Sequence, residues 1–190
     1  PEAGEHRDLG LRSGQAVPDR EVLLFADTFN RYFERENLDA ALAVLNAAGY
    51  RVHIAKPADH SSRPLCCGRT FLSIGQVEEA RREAERVLTA VAPFVSRGIP
   101  MIGLGPSCLL CFRDEIPAMV KDERAKRLAA HALTFEEFLA REAKQGRLNL
   151  PLKKIAERAL LHGHCHQKAF DAFTPVEQVL NLIPGLTVEA

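Results

Sequence analysis

The chain has 190 residues, 46% of them hydrophobic and 26% charged, enough to bury a core of ordinary globular size. Its 25 basic and 25 acidic residues cancel to a net charge of zero and are interspersed, which excludes the electrostatic footprint of a nucleic-acid binder or of a protein drawn to an anionic surface. No apolar run approaches bilayer-spanning length and no signal segment opens the sequence, so the expected location is cytoplasmic. There, five cysteines point to metal binding or catalysis rather than to disulfides. The chain opens on Pro1 instead of Met, as a piece of a longer protein would.

Residues 1–20 are polar, rich in Gly, Pro and charge, and read as a linker or loosely attached arm. Val22 to Ala26 is a short continuous apolar run, the mark of a buried parallel strand, and it ends in Asp27-Thr28. From Asn37, a suitable N-cap, apolar residues recur at Leu38, Ala41, Leu42, Leu45 and Ala48 with helical spacing, and Gly49 closes the helix. Tyr50 to Ala55 alternates and reads as a second strand.

Ser73 and Gln76 are spaced as a capping box for a long amphipathic helix from Val77 to Val95, which Pro93 should kink or end early. Its charged residues read as a solvated face. Ile99 to Leu104 is a third strand, followed by helical stretches over Arg113 to His131 and Thr134 to Lys144, the second opening with a Thr134/Glu137 capping box. After Gly146 the order begins again: a strand at Ala159 to Gly163, a helix opening at Thr174-Pro175 with Pro at its first position, a closing Gly185, and a strand over Leu186 to Glu189. The expected fold is α/β, a mostly parallel sheet with flanking helices. It divides into a first half over 21–146 and a weakly repeated, truncated second half over 147–190.

The cysteines fall in three loops, each after an expected strand, where open parallel sheets carry their sites. Cys66 and Cys67 precede Gly68, which permits the turn that brings both to one centre. Cys108 and Cys111 are spaced to share one side of a helical turn, with Ser107 as a suitable N-cap. A helix N-terminus would lower their pKa values. The set fits a four-sulfur nest; chance burial is a poor account of two pairs in turn loops, and a thioredoxin-like redox motif would leave Cys66 and Cys67 idle. Spacing alone leaves zinc and iron–sulfur both open. Cys165 stands alone in His162-Gly163-His164-Cys165-His166. If that segment is extended, the three histidines share one side, as metal ligands or as hydrogen-bonding groups lining a loop; direct thiol–disulfide chemistry at Cys165 is a weaker alternative. Asp27 can be a ligand, an N-cap or plain loop.

Leu65-Cys66-Cys67-Gly68, Pro106-Ser107-Cys108-Leu109-Leu110-Cys111 and His164-Cys165-His166-Gln167-Lys168 together resemble the cysteine-rich "CCG" domain of heterodisulfide reductase and of the iron–sulfur component of glycolate oxidase. The stretch Leu23 to Phe33 and the His164-Cys165-His166-Gln167-Lys168 segment look most like the C-terminal part of FAD-linked oxidases of the D-lactate dehydrogenase type. The resemblance covers roughly residues 20–190. It implies a 4Fe-4S-type cluster, or zinc, held by Cys66, Cys67, Cys108 and Cys111. Asp27 then stands where the family has a leading Cys, and Cys165 leads a second motif. Gly68, Ser107, His164 and His166 would surround the metal without binding it. The implied function is electron transfer in an FAD-linked D-2-hydroxyacid dehydrogenase of the D-lactate or glycolate type, from a flavin domain or subunit, whose FAD lies outside this chain, to a quinone or cytochrome. Such a chain is part of an oxidoreductase, not catalytic alone, without a transmembrane segment, and cytoplasmic or peripheral to the inner face of a membrane. A zinc-stabilised docking module is the alternative.

Overall fold

The computed structural model describes residues 20–59 and 61–190, so of the expected arm only Arg20 is seen. Arg20 donates to the Ala48 carbonyl at 2.7 Å and lies over the Tyr50 ring. The first half runs β1 (Glu21–Phe25), α1 (Thr28–Tyr32), α2 (Arg35–Ala47), β2 (Arg51–Ile54), α3 (Arg69–Ser73), α4 (Val77–Val95), β3 (Met101–Gly103), α5 (Pro106–Cys111), α6 (Glu115–Met119), α7 (Glu123–His131), β4 (Ala132–Thr134) and α8 (Phe135–Lys144). Its four strands form one parallel sheet in the order β2-β1-β3-β4.

Because both faces of this sheet are covered, β1 is apolar without a break from Val22 to Phe25 rather than alternating. Leu23, Phe25 and Met101 face a core made with Val87, Leu88 and Val91 of α4 and with residues of α5 to α7. Val22, Leu24 and Ile102 face the opposite side, where Leu45 of α2 and Phe138 and Leu139 of α8 close over them. Edge-on aromatic pairs lock each layer, Phe25 with Phe112 at 4.9 Å and Tyr50 with Phe138 at 5.1 Å between centroids. The architecture is three-layered α/β/α, with every β-to-α loop at one edge of the sheet.

The second half repeats the opening order: β5 (Arg158–Leu160), a five-residue α9 (Cys165–Ala169), α10 (Thr174–Leu180), a left-handed glycine, then β6 (Thr187–Glu189). β5 and β6 pair in parallel as a separate two-stranded sheet. Contacts of α9 with α5 and of α10 with α8 join this half to the first.

Several local expectations need correction. α2 starts at Arg35, so Asn37 lies inside the helix and donates instead to Asn30 and Glu34. Ser73 ends α3 and donates to the Arg69 carbonyl, so no Ser73/Gln76 box forms; the Thr134/Glu137 box does. α4 continues to Val95, two residues beyond Pro93. Thr174, not Pro175, is the first residue of α10. β4 is a strand that sequence patterning does not disclose, because three residues between two helices carry too short a pattern to register.

Candidate metal centre

The Cys66-Cys67 loop is fastened from α4. Glu83 is buried at 3% exposure and accepts from Arg63 at 2.6 Å and Arg86 at 3.0 Å. Arg86 also donates to the carbonyls of Arg63 and Pro64, to Ser61 and to Asp59. These α4 charges are therefore a structural brace and not the solvated face expected of them. Single-sequence periodicity cannot distinguish the two, because the partners lie some twenty residues upstream in a loop. Gly68 then turns the chain with φ +81 and caps α3; a Cβ there would meet the Ala80 carbonyl at 3.0 Å. Its N–H points at Cys66 Sγ, 3.5 Å away.

The second pair is set by α5, which follows β3. Gly105, not Ser107, is its N-cap, with Pro106 at the first position. Cys108 lies in the first turn and is half-buried, whereas Cys111 is the last helical residue and fully buried. Cys111 Sγ approaches the Cys67 carbonyl at 3.7 Å, and the Cys67 thiol interacts with those of Cys66 and Cys108. The two loops, from strands on either side of β1, thus meet. Arg69, directly after Gly68, pairs with Glu115, four residues after Cys111.

At Cys111 the expected lowering of the thiol pKa by a helix N-terminus is not what the geometry gives. Cys66 is pushed up by its contact with Cys67 and by burial, and Cys67 is pushed up to about 12, chiefly by Cys108. Burial, then the negative charge of Cys67 and Glu115, raises Cys111 against the pull of Arg69. Crowded and desolvated sulfurs resist ionisation unless a cation faces them.

The third motif is helical from Cys165 onward, so the alternation expected of an extended His162-His164-His166 run is absent. His164 is the N-cap of α9: its Nδ1 accepts from the His166 N–H at 3.1 Å, which leaves the Nε2 side toward Ser107 Oγ at 3.3 Å. The His164 and His166 rings stack at 5.2 Å. Burial, with the charges of His166 and Arg69, lowers the His164 pKa. Cys165 is exposed. Among the described residues, His164, Cys165 and His166 are the one group of three or more such donors whose ligand atoms lie within 4.8 Å of one another, and His162 is not in it.

Asp27 caps α1. One carboxylate oxygen accepts from the Phe29 and Asn30 N–H groups, and the other accepts from Asn30 Nδ2 at 2.7 Å and packs on Gly105. Of the roles left open for it, this is the N-cap.

Four thiols on two abutting loops, two of them buried, are a donor set suited to a thiophilic metal centre. In a closed tetrahedral zinc site sulfurs sit about 3.8 Å apart, given Zn–S bonds of about 2.3 Å. No three of these four lie within 4.8 Å of one another.

No family model and no solved structure matches the chain. It is similar to a D-2-hydroxyglutarate dehydrogenase of Pseudomonas putida, 30% identical over 100 residues that cover 53% of this chain and 9% of that protein. The D-2-hydroxyglutarate dehydrogenase of Haemophilus influenzae is 24% identical over 173 residues, covering 88% of this chain and 16% of that protein. The chain is a distant relative of a dehydrogenase segment. It spans less than a fifth of the length of either relative. Among the described residues no helix is long and apolar enough to cross a membrane.

Proposed function

We propose that this chain is the cysteine-rich electron-transfer part of an FAD-linked D-2-hydroxyacid dehydrogenase, with Cys66, Cys67, Cys108 and Cys111 holding an iron–sulfur cluster. The meeting of the two cysteine loops around Cys67 carries the reading. The names of the relatives turn the substrate class from D-lactate toward D-2-hydroxyglutarate, and their dehydrogenase character supports the oxidoreductase role. When bound, a cluster supplies single-electron carriage between the flavin of the parent enzyme and an acceptor such as a quinone or cytochrome.

The chain's own part is to hold and tune that centre. Burial of Cys67 and Cys111 keeps water from two of the sulfurs, and the Gly68 N–H stabilises negative charge on Cys66. The Glu83–Arg86 brace fixes the loop before ligation. Asp27 stays outside the ligand set because its carboxylate is engaged in capping. The zinc docking module is the less favoured reading, since the sulfurs are more widely spread than a closed zinc tetrahedron requires.

Replacing Cys67→Ser tests the assignment. Iron bound by the anaerobically purified chain should fall to background, while unchanged iron content would remove Cys67 from the ligand set.

A further inference from the structure

Arg69 and Glu115 stand at the junction of the cysteine motifs, and nothing in the sequence connects them. Arg69 is two residues past Cys67 and is the first residue of α3; Glu115 is one helical turn past Cys111 and opens α6. Their ion pair is a direct contact, with 28% and 29% of the two side chains exposed. It therefore ties the loop bearing Cys66 and Cys67 to the segment bearing Cys108 and Cys111. The tie is short on both sides, two residues from Cys67 and four from Cys111.

Its charges also act on the sulfurs. The charges of Glu115 and Arg69 both act on the Cys111 thiol, and Arg69 acts on His164 as well. Through the Ser107–His164 contact the third motif reaches the same place.

We infer that the Arg69–Glu115 ion pair is a positioning clasp that closes the two cysteine loops over the centre, with each charge biasing its reduction potential in an opposite direction. The inference rests on the metal-centre reading. A positive charge near the centre stabilises its reduced, more negative form, so Arg69 raises the potential and Glu115 lowers it. As a fastening, the pair slows loss of the metal.

The test uses the whole chain, loaded anaerobically with iron and sulfide, as wild type, Arg69→Gln, Glu115→Gln and the exchanged pair Arg69→Glu with Glu115→Arg. Each single variant should release iron to a chelator about tenfold faster, the scale of a partly shielded ion pair near 1.4 kcal/mol, and the exchanged pair should recover most of that loss. In redox titration Arg69→Gln should move the midpoint potential down and Glu115→Gln should move it up. Unchanged release rates, or potentials that move together, overturn the inference. If wild type takes up no iron, the metal-centre reading fails separately. The clasp is then read in the metal-free chain by thiol labelling of Cys111, which the single variants should accelerate and the exchanged pair should restore; equal labelling rates overturn it.

Discussion

Ser107 Oγ and His164 Nε2 lie 3.3 Å apart and join the second cysteine loop to the third. Because His164 Nδ1 accepts from the His166 N–H, the neutral ring carries its proton on Nε2 and donates it to Ser107. Ser107→Ala should lower stability by about 1 kcal/mol, the usual net worth of one such bond. In a His164→Ala background the same substitution should cost almost nothing, and urea unfolding of the four proteins measures the difference. Equal costs in both backgrounds would show that the contact contributes nothing.

Glu83 is nearly inaccessible yet pairs with Arg63 and with Arg86, which in turn holds Asp59, Ser61 and the Arg63 and Pro64 carbonyls. Glu83→Gln keeps the shape and removes the charge, so it should destabilise the chain by about 1–3 kcal/mol. Hydrogen exchange should rise first in the loop before Cys66. A change spread evenly over the protein would argue against a local brace.

Tyr50 and Glu142 give a pH signature far from the cysteines. Tyr50 Oη donates to Glu142 at 2.6 Å, and burial followed by this bond pushes the tyrosine pKa up to about 12. Between about 10 and 12 the unfolded chain has lost the phenol proton while the folded chain keeps it, so stability must fall as pH rises through that window. Glu142 behaves in the opposite sense. Burial raises its pKa, but Arg147, Tyr50 and Arg141 outweigh burial and leave it below the ordinary carboxylate value, so its contribution is lost in acid. Tyr50→Phe should abolish the alkaline decline and cost about 1.5–3 kcal/mol at neutral pH, the range for a hydrogen bond to a charged group. Thermal unfolding from pH 7 to 12 checks both.

The fold is legible in the sequence wherever a pattern is long or a residue has one conformational use. The unbroken apolar run of β1, the helical periodicity of α4, the Thr134/Glu137 box and the left-handed Gly49 and Gly185 all announce themselves locally. β4 does not, being three residues long. At the site, cysteine spacing marks the right loops, but spacing carries no information on partners distant in sequence. Glu83, Arg86, Arg69 and Glu115 look like ordinary surface charge because each acquires its role from a residue in another element. Of the two readings left open for the histidines, the shared side needed an extended segment, and a side chain able to cap the next helix turns it helical at Cys165, where His164 serves as a hydrogen-bonding group. The resemblance to FAD-linked oxidases is matched by the two dehydrogenase relatives at the coarse level of an oxidoreductase segment.

The central claim is that Cys66, Cys67, Cys108 and Cys111 hold an iron–sulfur cluster, and the most direct measurement is iron, zinc and acid-labile sulfide analysis of the anaerobically purified chain with its visible spectrum. The account predicts iron and sulfide in near-equal amounts, with broad visible absorption that bleaches on reduction. Zinc without sulfide, in a colourless protein that takes up no iron on reconstitution, would contradict it.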